Sequence, residues 1–159
     1  MTKEEINSFS YRISQASRTD LVVIMLDMAK QYVKDAESAY DGGNDDEFCS
    51  YTKQAKRVVD ALSTSLDMRY PISAELFNIY AYAAKTLNKA MLKKDKKDFD
   101  VLCRVFDKLC AAFKEVAKED TSGALMANAQ KVYAGLTYSN GRLDEIAYDL
   151  SGKNRGFTV

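Results

Sequence analysis

Histidine is missing from all 159 residues. Its absence removes the commonest general base, every Ser-His or Cys-His nucleophile pair, and the usual metal ligand. A carboxylate-bridged di-iron bundle, which needs Glu-x-x-His on paired helices, is excluded for the same reason. Net charge is missing as well: 23 basic side chains stand against 23 acidic ones, so no overall field draws the chain toward nucleic acid or an anionic membrane. Long hydrophobic runs are absent. The longest, Leu21 to Leu26, is far too short to span a bilayer. The opening Met1-Thr2-Lys3-Glu4-Glu5 is acidic and polar where a signal peptide would be basic and then apolar. The expectation is a cytoplasmic protein without nucleic-acid or membrane partners.

Phosphate loops of the form Gly-x-Gly-x-x-Gly or Gly-x-x-x-x-Gly-Lys-Ser/Thr do not occur. The three cysteines, Cys49, Cys103 and Cys110, are odd in number and lack CxxC spacing. They read as reduced, small side chains in or near a core rather than as ligands or nucleophiles. Acidic residues such as Asp35, Glu37, Asp45, Asp46, Glu119 and Asp120 fall on polar helix faces or at helix ends. No catalytic residue, metal ligand or cofactor is expected, and the chain reads as a non-enzyme.

Proline is nearly absent too, and the one present is informative. Pro71 sits between two long helical patterns in Leu66-Asp67-Met68-Arg69-Tyr70-Pro71-Ile72-Ser73. A helix continued through it would cost ~3 kcal/mol or more, because proline lacks the backbone donor and restricts the residue before it. The preceding helix is therefore expected to end near Arg69, with Ser73 capping the next. Other boundaries follow from similar punctuation. Ser17 or Thr19 caps a helix running to about Asp41, stopped at Gly42-Gly43. Asn44-x-x-Glu47 opens a third helix. Ser73 opens a fourth to about Lys94, and Asp95-x-x-Asp98 a fifth that fades near Asp120. Helices of matched length joined by short connections predict an all-α fold, an antiparallel up-and-down four-helix bundle over residues 18–120. Residues 1–17 read as a leader, a short helix or strap that acts as a lid. Residues 121–159 read as a C-terminal extension, with a possible helix over Ala124 to Ala134 and a mobile tail from Ser151.

The apolar stripes are wider than a four-helix core demands. The second helix carries two seams: Leu21, Met25, Met28, Tyr32, Ala36 and Ala39 as a core seam, and Val22, Leu26, Ala29, Val33 and Tyr40 a quarter turn away. The fourth has a broad arc with Tyr82 outside it, and the fifth is widened by Val101, Val105 and Ala112. Each helix of a bundle touches two neighbours, which accounts for much of this width. The remainder predicts either a groove for a partner's amphipathic helix or a surface closing a homo-oligomer.

Leu66-Asp67-Met68-Arg69-Tyr70-Pro71-Ile72-Ser73, followed by Leu76-Phe-Asn-Ile-Tyr80-Ala-Tyr82, resembles the joint between central helices in the FliS flagellar export chaperones. Tyr11, then Ala16-Ser17, then Leu21 to Asp27 is similar to the family's opening segment. The chain departs from that pattern at Arg18, Leu26 and Met28, where proline, tyrosine and glycine are usual. The resemblance covers roughly residues 9 to 118. It implies a cytosolic helical bundle that binds the disordered C-terminal segment of flagellin, blocks premature polymerisation and keeps the subunit ready for the flagellar export apparatus. It also implies a monomer or weak homodimer. The expected partner-binding residues are Val22, Leu26, Val33 and Tyr40 on the second seam, with Ile79 and Tyr82. Phe9 and Tyr11 are the expected lid residues.

Overall fold

A computed structural model describes residues 1–121 together with Gly123 and Leu125. These residues are all-helical, with five helices and no strand: α1 (Lys3–Gln15), α2 (Arg18–Asp41), α3 (Asp45–Thr64), α4 (Pro71–Lys93) and α5 (Phe99–Glu119). The expected helix over 124–134, Leu125 apart, and the tail from 151 lie outside the described residues.

The starts of α1 and α2 follow from local chemistry. Thr2 and Glu5, and then Ser17 and Asp20, each form a reciprocal capping box. Asn44 caps α3 through the Glu47 amide at 3.2 Å. α2 stops where Gly43 takes φ +71°, a conformation that costs glycine nothing and lets the chain turn straight into α3. Two expected boundaries are corrected. α3 ends at Thr64, about five residues before Arg69, because Asp67 folds the connection on itself: its carboxylate accepts from the Arg69 amide at 3.1 Å and side chain at 2.9 Å. Ser73 is not a cap. Pro71 takes the first helical position, where its missing donor costs nothing, and the buried Ser73 hydroxyl donates to the Asp67 carbonyl at 2.7 Å. Asp98 precedes α5 without capping it and pairs instead with Lys89.

Side-chain pairs fix the directions of the helices. Arg12 meets Asp27 at 2.7 Å and the Met1 amino group meets Asp35 at 2.6 Å, so α1 runs antiparallel to α2. Lys30 pairs with Asp107, and Thr19 donates to Asp120 at 2.6 Å, so α5 is antiparallel to α2. Lys94 at the end of α4 reaches Asp45 at the start of α3. The core lies among α2, α3, α4 and α5. Leu26, Ala29, Val33 and Ala36 from α2 meet Phe48, Ala55, Val59 and Leu62 from α3, with Tyr80, Leu87, Leu102 and Phe106 behind them. The Phe48 and Phe99 rings stack with centroids 5.9 Å apart, in the range where aromatic pairs add to simple burial.

Two acidic groups sit inside this core. Burial pushes the Tyr80 hydroxyl up to about 12 from an ordinary 10.0. Burial, with the Asp27 carboxylate 3.7 Å from its sulfur, pushes the Cys110 thiol up to about 11 from 9.0. Both resist ionisation only when folded, so the unfolded chain loses these protons first. Stability is therefore full below pH 9 and falls as pH rises from there toward 12. Urea midpoints measured across that range are expected to decline steadily, with Tyr80→Phe flattening the upper part. A midpoint unchanged up to about pH 11 would contradict the burial of both groups.

Candidate functional site

α2 packs against α1, α3 and α5, whereas α4 packs closely on α3 alone. The backbones of α4 and α5 come near each other only sparsely. Between them opens a groove of about 390 Å³, lined by Asn78, Ile79 and Tyr82 from α4 and by Val105, Lys108 and Leu109 from α5. Its floor is the apolar body of these side chains. Among the described residues, the polar side-chain groups lining it are the Asn78 amide, the Tyr82 hydroxyl and the Lys108 ammonium.

The groove exists because neither helix can turn its whole apolar arc inward. Along α4, Tyr80, Ala83 and Leu87 face the core, leaving Ile79 half-covered and Tyr82 46% exposed. Along α5, Leu102 and Phe106 face the core while Val105 is half-covered and Val101 exposed. Lys89 and Asp98 pair at 2.7 Å toward the α4–α5 connection. That hydrogen bond raises the lysine's pKa and lowers the carboxylate's. It also sets an antiparallel register in which Tyr82 lies across from Val105. The arrangement can hold an apolar helix face. No cluster of side chains able to hold a metal occurs among the described residues.

The structure does not bring the expected site residues together. Ile79 and Tyr82 line the groove. Leu26 and Val33 do not present a surface at all: both have 0% exposure and belong to the central core. The two seams of α2 are thus corrected. The seam containing Leu26, Ala29 and Val33 is the deepest part of the fold, and Leu21, Met25, Met28 and Tyr32 are only half-buried. Val22 is a half-buried neighbour of the core. Tyr40, at the far end of α2, rests edge-on against Phe48 at 5.5 Å with the Lys96 ammonium 5.8 Å from its ring. Phe9 is half-buried beneath the Arg12 guanidinium, 5.4 Å from its ring centre. Tyr11 is 64% exposed beside a separate recess shared with Ile24 and Lys114. Neither Phe9 nor Tyr11 lines the α4–α5 groove. Asn78, Val105, Lys108 and Leu109 were not anticipated as site residues. Val105 widens the α5 stripe in the sequence, but a lysine beside it gives no periodic signal of facing a groove.

Among the described residues, no helix is long and apolar enough to cross a membrane. The family model of flagellar protein FliS matches residues 3–120, and the chain belongs to the FliS family. No curated protein matches the chain.

Groove and core are expected to respond differently to truncation. Leu26→Ala leaves a cavity at a site with no accessible surface and is expected to cost roughly 3–5 kcal/mol in denaturant unfolding. Tyr82→Ala, on the groove wall, is expected to cost less than about 1 kcal/mol. Equal losses would place Tyr82 in the core.

Proposed function

We propose that this FliS-family chain is a non-enzymatic export chaperone that binds the disordered C-terminal segment of flagellin, preventing premature polymerisation and keeping it fit for the flagellar export apparatus. The family match over residues 3–120 carries the flagellar role. The apolar α4–α5 groove supports the mode of binding, in which a client segment folds as an amphipathic helix with its apolar face against Ile79, Tyr82, Val105 and Leu109. In this reading residues 18–120 form an antiparallel four-helix bundle working in the cytoplasm. Residues 1–17 are a detachable cover lying along α2 rather than over the groove, and residues 121–159 are an extension of separate role.

A disordered client must meet the entropy of its own ordering when it binds, so affinity has to come from apolar burial and from a surface already in place. The groove meets both conditions. Its walls are carried by two helices of 23 and 21 residues anchored in the core, so little of the chaperone needs to order on binding.

Titration of the full chain with a synthetic flagellin C-terminal segment, followed by heat and by helical circular dichroism, tests the proposal. Binding with a gain of helicity is expected, weakened at least ~tenfold by Ile79→Asp, which places a charge on the apolar wall. Absence of binding at ~10 μM, under conditions where another FliS-family protein binds the same peptide, would sink the flagellin reading.

A further inference from the structure

The two ends of the α4–α5 groove differ. Residues seven apart on a helix share a face, so each wall of the groove can be followed in both directions. Toward the α4–α5 connection the apolar lining passes exposed Val101 and ends. Lys89 follows Tyr82 by seven residues, Asp98 precedes Val105 by seven, and the two are hydrogen-bonded at 2.7 Å. Lys93, Asp95 and Lys97 share with them a recess of about 10 Å³, too small for a side chain. In the other direction the lining continues. Ile72 precedes Ile79 by seven, Ala112 follows Val105 by seven, and Val116 follows Leu109 by seven. Ile72 and Val116 are 57% and 55% exposed, and Ala112 is exposed too. The register that sets Lys89 against Asp98 brings Ile72 to the level of Glu115 and Val116. Glu75 and Lys108, exposed along the two walls, are of opposite sign, and Glu115 is paired with Lys118. This stretch therefore presents apolar shape rather than charge of one sign.

We propose that Ile72, Ala112 and Val116 extend the client site beyond the cleft. The bound segment is then an amphipathic helix of about five turns, its apolar stripe starting at the Lys89–Asp98 pair and running out to the level of Val116. This rests on the reading of the groove as the client site. From Lys89 back to Ile72 the α4 wall is ~26 Å long, about the span of an 18-residue helix. The cleft alone, at about 390 Å³, has room for a few side chains, and a disordered client needs more burial than that to offset its ordering. Continuity of exposed apolar side chains along both walls supplies it. The ion pair acts as a stop, because an apolar stripe carried past it would strip water from two charges.

Two synthetic amphipathic peptides of about 18 residues, equal in length and polar face, test this. In one the apolar stripe runs the whole length; in the other, half of the stripe is replaced by Gln. Fluorescence anisotropy with the full chain is expected to show the full stripe binding roughly tenfold tighter. I72D/V116D, with an unchanged circular dichroism spectrum, is expected to erase that advantage, while Ile79→Asp weakens both peptides. Methyl NMR of the unsubstituted chain reads the same contact without a mutation: the Ile72 and Val116 methyl signals should shift with the full-stripe peptide. If those signals stay in place and I72D/V116D weakens neither peptide, while Ile79→Asp still weakens both, the cleft stands and its extension falls. If I72D/V116D instead lowers the solution mass of the free protein and leaves peptide binding intact, the strip joins two copies and the extension falls. If Ile79→Asp has no effect, or no peptide binds, the groove is not the client site and both readings fall.

Discussion

The fold depends on one helix being shared. α2 gives part of its circumference to each of α1, α3 and α5. It can do so because the line of closest approach carries small residues among branched ones: Ala29 and Ala36 are fully buried between Leu26 and Val33. Alanine at those positions lets a neighbouring backbone come near, and the larger side chains then fill the space on either side. A helix engaged this way serves as the shared axis of the structure. The cost falls on α4, which sits beyond α3 and has no comparable hold on α5. The open groove between α4 and α5 is thus the far consequence of how tightly α2 is held.

The end of the molecule where α2 finishes and α5 begins shows how that opening is kept in place. Lys96, in the short connection between α4 and α5, reaches Glu37 at 3.2 Å and Asp41 at 2.7 Å and lies over Tyr40. Lys94 meets Asp45 at 2.5 Å. Exposed pairs of this kind contribute little to stability. Their effect is positional. They land the connection on α2 and α3 rather than letting it draw α4 and α5 together, and the stacked Phe48 and Phe99 rings beneath them fix the start of α5. Left-handed Lys94, at φ 47°, closes α4 abruptly enough for the connection to make that crossing.

Much of the fold was legible in the sequence because it is written in local chemistry. Ser17 with Asp20, Asn44 with Glu47, and Gly42-Gly43 each act within a few residues, and each appears in the structure where spacing predicts. The α3–α4 joint was legible only in outline. Pro71 announced a break, but whether Pro71 or Ser73 opened α4 depended on the hydroxyl of Ser73 finding the Asp67 carbonyl, a contact set by how the joint folds. The site was the least legible part. Two seams a quarter turn apart on α2 look alike to periodicity, and only packing decides that Leu26 and Val33 are core. Tyr82, which lines the cleft, was legible as a residue outside the apolar arc of α4. Lys108 was not, since a lysine on a polar-looking face carries no sign of the cleft beside it.

Placing the groove at the α4–α5 side separates two demands that often conflict. A surface that folds a disordered segment must be apolar, yet an apolar surface that is also the core cannot change without unfolding the protein. Here the residues fully withdrawn from water and the residues lining the groove are largely different side chains on the same two helices. Leu102 and Phe106 hold α5 to the core while Val105 and Lys108 face the cleft; Ala83 and Leu87 do the same for α4 while Ile79 and Tyr82 face outward. Helical periodicity makes this division possible, because adjacent positions lie ~100° apart around the axis. Under the proposed chaperone role, the groove can therefore be tuned through side chains that contribute little to the stability of the helices presenting them.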